Sequence, residues 1–125
     1  MRFVFAFVIC TWSHAALAQS SDVDSGTFFL RVCKGLLDEH PRATFEGGLC
    51  AGAAEMLRHV GRYLRPELAW CIPKGVTTRE VIQVVVKFLE SRPQRLHEMY
   101  FLLSADALRS AWPCNKKAET HRGLG

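Results

Sequence analysis

The sequence predicts an all-α fold: a small bundle of about four helices arranged as two disulfide-clasped helical hairpins. Apolar residues recur at intervals of three and four along four segments, which is the spacing of one helix face. Proline follows or separates these segments, and four cysteines at positions 33, 50, 71 and 114 lie within or beside them. With 125 residues, the chain is long enough for one domain.

The N-terminal residues have the features of a signal peptide. A basic start at Arg2 precedes an apolar run over 3–12, and the small-x-small sequence at 16–18 is typical of a cleavage site. An apolar run of about ten residues is too short for a membrane anchor, which needs roughly 20. We therefore predict cleavage near Ala18 and a periplasmic or secreted protein. The predicted divisions are a signal peptide at 1–18, a flexible leader at 19–24, a helical domain at 25–114 and a polar tail at 115–125.

The first hairpin consists of helices one and two. Ser25 is a suitable N-cap for helix one, which we expect to continue to about Glu39, where His40 and Pro41 end it. Helix two is expected from about Thr44 to Leu64. The apolar face of helix one comprises Phe29, Val32, Cys33, Leu36 and Leu37, and that of helix two comprises Leu49, Ala53, Met56, Val60 and Leu64.

Helix three has the clearest start in the chain. Thr77 and Glu80 form a Thr-x-x-Glu capping box, in which each side chain satisfies a free backbone donor. The β-branched run that follows is also compatible with a buried strand. We favour a helix because the polar residues recur at helical and not alternating intervals. These residues are Glu80, Gln83, Lys87 and Glu90.

Helix four is expected to begin at Pro93, since proline suits the first helical turn, and to stop at Trp112 and Pro113. Its apolar face comprises Leu96, Met99, Tyr100, Leu103, Ala107 and Ala111. The loop between helices two and three spans 65–76.

The cysteines indicate a disulfide framework. Of the five cysteines, Cys10 lies in the predicted signal peptide, and the four that remain in a short exported chain allow three connectivities. A zinc site is the rival interpretation, but no Cys-x-x-Cys pair occurs and no cysteine has a histidine at the usual ligand spacing. Antiparallel hairpins bring the flanks of neighbouring helices together, which favours the pairs Cys33–Cys50 and Cys71–Cys114.

Composition and motifs indicate binding and not catalysis. Sixteen Lys and Arg face 12 Asp and Glu without clustering, which argues against a nucleic-acid-binding surface. No nucleophile elbow, zinc-protease motif or phosphate loop occurs. Glu55 and His59 are four residues apart, which is a spacing found in metal ligands, yet an exposed ion pair explains them better. His97 and Asp106 are a second possible pair of metal ligands, for which we also favour an exposed position. We expect no enzyme activity, cofactor or metal.

Several motifs together resemble the Rap/Tai-type immunity proteins of bacterial type VI secretion. They are CIPKGVT at 71–77 and AWPC at 111–114, with SGT at 25–27 and CAG at 50–52 as earlier landmarks. The resemblance covers about residues 25–114. It implies a disulfide-bonded, α-helical periplasmic protein, often a homodimer, that binds and sterically blocks a peptidoglycan-cleaving amidase toxin.

Partner-binding residues are expected in the connecting segments. The candidates are Arg65, Glu67 and Trp70 in the 65–75 loop, together with the turn at 39–48. For Trp70 the favoured alternative is a buried position over the Cys71–Cys114 bridge. The alternative function is a secreted or periplasmic helical module of the same fold that binds another protein or serves the cell envelope.

Overall fold

The computed structural model describes residues 23–38 and 43–114. Within these ranges there are four α-helices and no strands, which confirms the predicted all-α bundle. The predicted signal peptide and tail lie outside the described residues. The helices are α1 (Gly26–Leu37), α2 (Phe45–Val60), α3 (Thr78–Glu90) and α4 (Tyr100–Ala111), with short 3₁₀ turns at Gly61–Tyr63 and Pro93–Arg95.

The first three helices begin at side-chain caps. The Ser25 hydroxyl accepts a hydrogen bond from the amide of Phe28, and the Thr44 hydroxyl accepts one from the amide of Gly47. At α3, both halves of the predicted capping box are present. Each cap satisfies a backbone amide that has no partner inside its own helix.

Helix α4 starts at Tyr100, so the predicted start at Pro93 is wrong. The carbonyls of Leu96 and Glu98 accept hydrogen bonds from the first amides of α1, those of Thr27 over 3.0 Å and Gly26 over 2.9 Å. The amide of Tyr100 in turn donates to the carbonyl of Asp24 over 2.7 Å. Pro93 instead begins a 3₁₀ turn.

The buried face of α2 also differs from the predicted one. Leu49 and Met56 are 43% and 48% exposed. The disulfide between Cys50 and Cys33 turns a neighbouring face toward α1. The buried residues of α2 are Gly47, Cys50, Ala54 and Leu57. The helix itself ends at Val60 and not at Leu64.

Helix α3 is central to the core, because it packs against each of the other three helices. It supplies five buried apolar side chains: Val81, Ile82, Val85, Val86 and Leu89. On the α1–α4 side, the rings of Phe29 and Tyr100 stack with centroids 4.2 Å apart. At the start of α3, the Arg79 guanidinium donates to the carbonyls of Leu36 and Leu37, which caps the end of α1.

Both disulfides have the predicted pairing. Cys33–Cys50 joins α1 to α2 and is buried, whereas Cys71–Cys114 joins the loop before α3 to the end of α4. Cys71 is exposed to solvent. One hairpin is therefore closed by a buried disulfide and the other by a disulfide that reaches the surface.

Candidate partner-binding surface

The connection between α2 and α3 contains an exposed segment, residues 63–68, which we call the display loop. Its apolar members, Tyr63 and Leu68, are 81% and 48% exposed. Arg65 and Glu67, both predicted as candidates, are exposed as well. The amide of Leu68 donates to the carbonyl of Arg65 over 2.8 Å, which closes a tight turn. Two large apolar groups and two opposite charges therefore face solvent together along six residues.

Trp70 anchors the C-terminal end of the display loop. Its side chain is only 1% exposed, and its indole Nε1 donates to the carbonyl of Leu57 in α2 over 2.9 Å. The indole lies against Gly61, where a Cβ atom would come within 2.3 Å of Nε1. Trp70 is therefore unavailable to a partner in this fold. The predicted burial of Trp70 is confirmed, while its position over the Cys71–Cys114 bridge stays a prediction.

The residues after Trp70 attach the loop to the end of α4. The amide of Cys71 donates to the carbonyl of Trp112 over 2.8 Å, and Trp70 and Pro113 form an isolated antiparallel bridge. The disulfide from Cys71 to Cys114 adds a covalent link. The segment that follows the display loop is thus fixed to two different helices.

A charged cluster holds the far end of the same connection against α2. The Arg58 guanidinium donates to Glu55 over 2.8 Å and to the carbonyl of Val76 over 3.2 Å. The Thr78 hydroxyl also donates to Glu55. Hydrogen bonds from Arg58, Thr78 and His59, in that order of size, lower the pKa of Glu55 to about 2. Glu55 is therefore ionised in the folded protein at neutral pH.

Of the residues predicted as possible metal ligands, Glu55, His59 and Asp106 lie in ion-pair networks, whereas His97 is an exposed side chain. His59 Nε2 is 2.9 Å from Glu55 Oε1, and Asp106 pairs with Arg95 and Arg109. In residues 23–38 and 43–114, no three His, Cys, Asp or Glu side chains form a group that could hold a metal ion. The charged clusters of this region hold helices and turns together.

Of the predicted turn at 39–48, residues 39–42 lie outside the described ranges. Its last part begins α2, where Phe45 is 82% exposed. With Leu49 and Met56, this residue gives α2 an apolar face toward solvent. The sequence prediction missed this face, along with Tyr63 and Leu68, because an apolar side chain is normally expected in the core.

Taken over the described part of the chain, none of the helices is long and apolar enough to cross a membrane. The two disulfides are consistent with an extracytoplasmic location.

Comparison with known proteins supports the motif-based assignment. No curated protein and no solved structure matches the chain. The family model described as Rap1a immunity proteins matches residues 25–114, which include the display loop, its anchors and both disulfides. Since this match covers well over half of the sequence, the chain belongs to the Rap1a immunity protein family.

Proposed function

We propose that this protein neutralises a secreted toxin in the periplasm by seating its display loop in the toxin's active-site cleft. Family membership supports a toxin as the partner. The resemblance to Rap/Tai proteins of type VI secretion supports a peptidoglycan-cleaving amidase as its class. Steric blockade requires a shaped surface and no catalytic group in the inhibitor.

The observation that carries this proposal is an exposed loop on a fixed base. Tyr63, Arg65, Glu67 and Leu68 are accessible, while Trp70 is buried and hydrogen-bonded behind them. Ordering a mobile loop on binding costs free energy, and a loop held in place beforehand avoids much of that cost. Tyr and Arg are also among the residues that most often dominate binding energy at interfaces.

The charges of the display loop suit a cleft that contains both polar and apolar groups. Arg65 can pair with a carboxylate at the rim of such a cleft, while Tyr63 fills an apolar subsite and offers its hydroxyl to a polar group. Arg58 and Arg95 are already paired with carboxylates within the protein. The display loop is therefore the better source of recognition than those internal clusters.

Two further observations support action in the periplasm. The N-terminal sequence has the pattern of a cleavable signal peptide. Two disulfides lie in one small domain, and disulfides are typical of proteins in oxidising compartments. An amidase delivered to the periplasm would meet its inhibitor there, beside the peptidoglycan it cleaves.

The test uses the mature protein and an amidase-type effector encoded next to its gene. Peptidoglycan hydrolysis by the purified effector is measured with increasing inhibitor. We expect full inhibition by the parent protein and at least a tenfold weaker inhibition by Tyr63→Ala or Arg65→Glu. Arg92→Glu is the matched control, since Arg92 is an exposed arginine outside the loop.

Two results would overturn the proposal. If the parent protein leaves hydrolysis unchanged and does not bind the effector, the toxin-blocking function is wrong. If Arg92→Glu weakens inhibition as much as Arg65→Glu does, the display loop is not the recognition element.

A further inference from the structure

A surface hollow of about 320 Å³ lies between the end of α3 and the second half of α4, away from the display loop. Its lining is rich in arginine: it comprises Phe88, Arg92, Arg95, Asp106, Arg109 and Ser110. Arginine stays protonated in proteins, so the lining has three positive charges and one negative charge. Residues 88–95 and 106–110 are apart in the sequence, and the packing of α4 on α3 brings these charges together.

Asp106 holds two of the arginines in place. Arg95 Nη2 donates to Asp106 Oδ2 over 2.9 Å, and Arg109 Nη2 donates to Asp106 Oδ1. Arg95 also donates from Nε and from Nη2 to the carboxylate of Glu98, over 2.7 Å in each case. The Arg95 and Arg109 side chains are half-buried. Two guanidinium groups are therefore fixed at the hollow by contacts within the protein.

These contacts leave many hydrogen-bond donors unused. A guanidinium has five N–H groups. The three bonds of Arg95 involve only Nε and Nη2, so its Nη1 has no partner among the described residues, and Arg109 donates one bond. Arg92 places Cζ 5.3 Å from the centroid of the Phe88 ring, an arrangement that leaves the edge of the guanidinium open to a ligand. The hydroxyl of Ser110 is exposed beside them.

The acceptors at the hollow are already engaged. Each oxygen of Asp106 accepts a hydrogen bond from an arginine. Glu98, whose two oxygens both bind Arg95, is not one of the lining residues. The lining thus offers unused donors and an excess of positive charge, which is the chemistry that recognises an anion.

We propose that this hollow is a binding site for a phosphoryl group, specifically a phosphomonoester or inorganic phosphate. Such a group carries about −1.5 to −2 charges at neutral pH and has three strong acceptor oxygens. That charge matches the excess of two positive charges in the lining, whereas a carboxylate would match only one. Arginine also binds phosphate through two parallel N–H···O bonds, a geometry that its planar fork favours.

The phosphoryl group has two sources, a soluble phosphorylated compound and the headgroup of a phosphorylated lipid. The chemistry of recognition is the same for both, since the hollow is open at the surface. None of its lining residues belongs to the display loop. The site therefore does not rest on the proposed inhibition of a toxin, and either proposal can fail without the other.

The test is titration of the ¹⁵N-labelled mature protein with inorganic phosphate, at neutral pH and constant ionic strength, followed by NMR. The N–H signals of the Arg92, Arg95 and Arg109 side chains should shift and saturate. We expect a dissociation constant of about 1 mM, since exposed ion pairs each contribute little. Acetate should bind at least about threefold more weakly, because it carries half the charge.

Arg92→Gln tests the site without disturbing the ion pairs of Asp106. Arg92 is exposed and forms no ion pair with the described residues, so the variant should melt close to the parent temperature. It should bind phosphate at least about threefold more weakly. Arg31→Gln is the matched control: it removes the same charge from another exposed arginine, whose Cζ lies 5.2 Å from the centroid of Phe28. This control should bind phosphate like the parent.

Co-sedimentation with vesicles distinguishes the two sources. The vesicles are phosphatidylcholine with either phosphatidic acid, a phosphomonoester lipid, or phosphatidylserine at matched surface charge. Preferential binding to phosphatidic acid that Arg92→Gln weakens and Arg31→Gln retains assigns a lipid headgroup. Saturable binding of inorganic phosphate without this preference assigns a soluble phosphorylated compound.

Three results would overturn the proposal. The first is the absence of saturable shifts at the three arginines up to about 20 mM phosphate. The second is acetate binding as tight as phosphate binding. The third is an Arg92→Gln variant that binds phosphate like the parent, or no more weakly than Arg31→Gln does.

Discussion

Replacing Gly61 with alanine tests whether Trp70 is the anchor of the display loop. Gly61 has φ −53° and ψ −39°, a helical conformation that alanine adopts without strain. Any effect of the added methyl group must therefore come from its surroundings. That group would lie 2.3 Å from Nε1, 2.4 Å from Cδ1 and 2.6 Å from Cε2 of Trp70.

The size of the effect follows from these contacts. Carbon atoms pack at about 3.5–4.0 Å, so the indole must move by an ångström or more. It is buried, and moving it strains the hydrogen bond to the carbonyl of Leu57. Overpacking costs about 1–3 kcal/mol, the lost hydrogen bond about 1 kcal/mol, and the gain in helix propensity returns less than about 1 kcal/mol. We expect a net loss of about 2–3 kcal/mol, or about 10–20 °C in Tm for a domain of this size.

Thermal and urea unfolding followed by circular dichroism measure this loss. Gly35→Ala is the control, since a Cβ atom at Gly35 meets nothing within 4 Å and the substitution should leave stability equal or slightly higher. A double-mutant cycle with Trp70→Leu isolates the contact: Gly61→Ala should cost much less when the indole is absent. If Gly61→Ala is as stable as the parent, or if its cost is the same in both backgrounds, the anchoring argument fails.

Three further substitutions or treatments have defined outcomes. Ser104→Ala should raise the free energy of unfolding by about 1 kcal/mol in urea denaturation, because the Ser104 hydroxyl is buried with no hydrogen-bond partner in the described structure; a lower midpoint would contradict this. Dithiothreitol under native conditions should reduce the exposed Cys71–Cys114 bridge before the buried bridge between α1 and α2, and this should lower the free energy of unfolding by up to about 4 kcal/mol. Alkylation and mass mapping measure the two reduction rates, and equal rates would contradict control by exposure. The pKa of Glu55 falls from 4.5 to about 2 on folding, so its ionised form stabilises the fold fully above pH 4.5, and this contribution is lost as the pH falls through about 2. Glu55→Gln should remove that part of the acid sensitivity. A variant whose Tm depends on pH as the parent's does would argue against this role.

The parts of the fold that depend on local sequence were predictable. Thr77 and Glu80 lie one helical turn apart, so the capping box and the start of α3 can be read from four residues. The disulfide pairing followed from hairpin geometry, because neighbouring antiparallel helices bring only certain cysteines together. Predicting the bundle itself required little more than the helical spacing of the apolar residues.

The predictions that were wrong concern features that depend on contacts between residues distant in the sequence. The start of α4 is set by main-chain bonds between residues 96–100 and 24–27, which are far apart in the sequence. The orientation of α2 is set by the Cys33–Cys50 bridge, and the helix contains enough apolar and small residues to offer two faces. The true core face could have been found by centring the helical period on Cys50.

The candidate surface was predictable only in part. Arg65 and Glu67 follow the rule that charged residues stay in water, and both are exposed. Tyr63 and Leu68 are apolar residues exposed in the same loop, and a prediction from residue type alone places such residues in the core. The burial of Trp70 is predictable from its large apolar ring, but its hydrogen bond to Leu57 depends on the tertiary fold.

The backbone contact between Asp24 and Tyr100 has a consequence for processing of the N-terminus. Helix α4 has no side-chain cap, and its first amide bonds to the carbonyl of Asp24. If the predicted cleavage near Ala18 occurs, enzymes that then trim the N-terminus residue by residue would break this contact when they remove Asp24. Removing Asp24 would free the first turn of the last helix, so the shortest stable product is expected to retain it, and affinity tags at this end need a spacer before it.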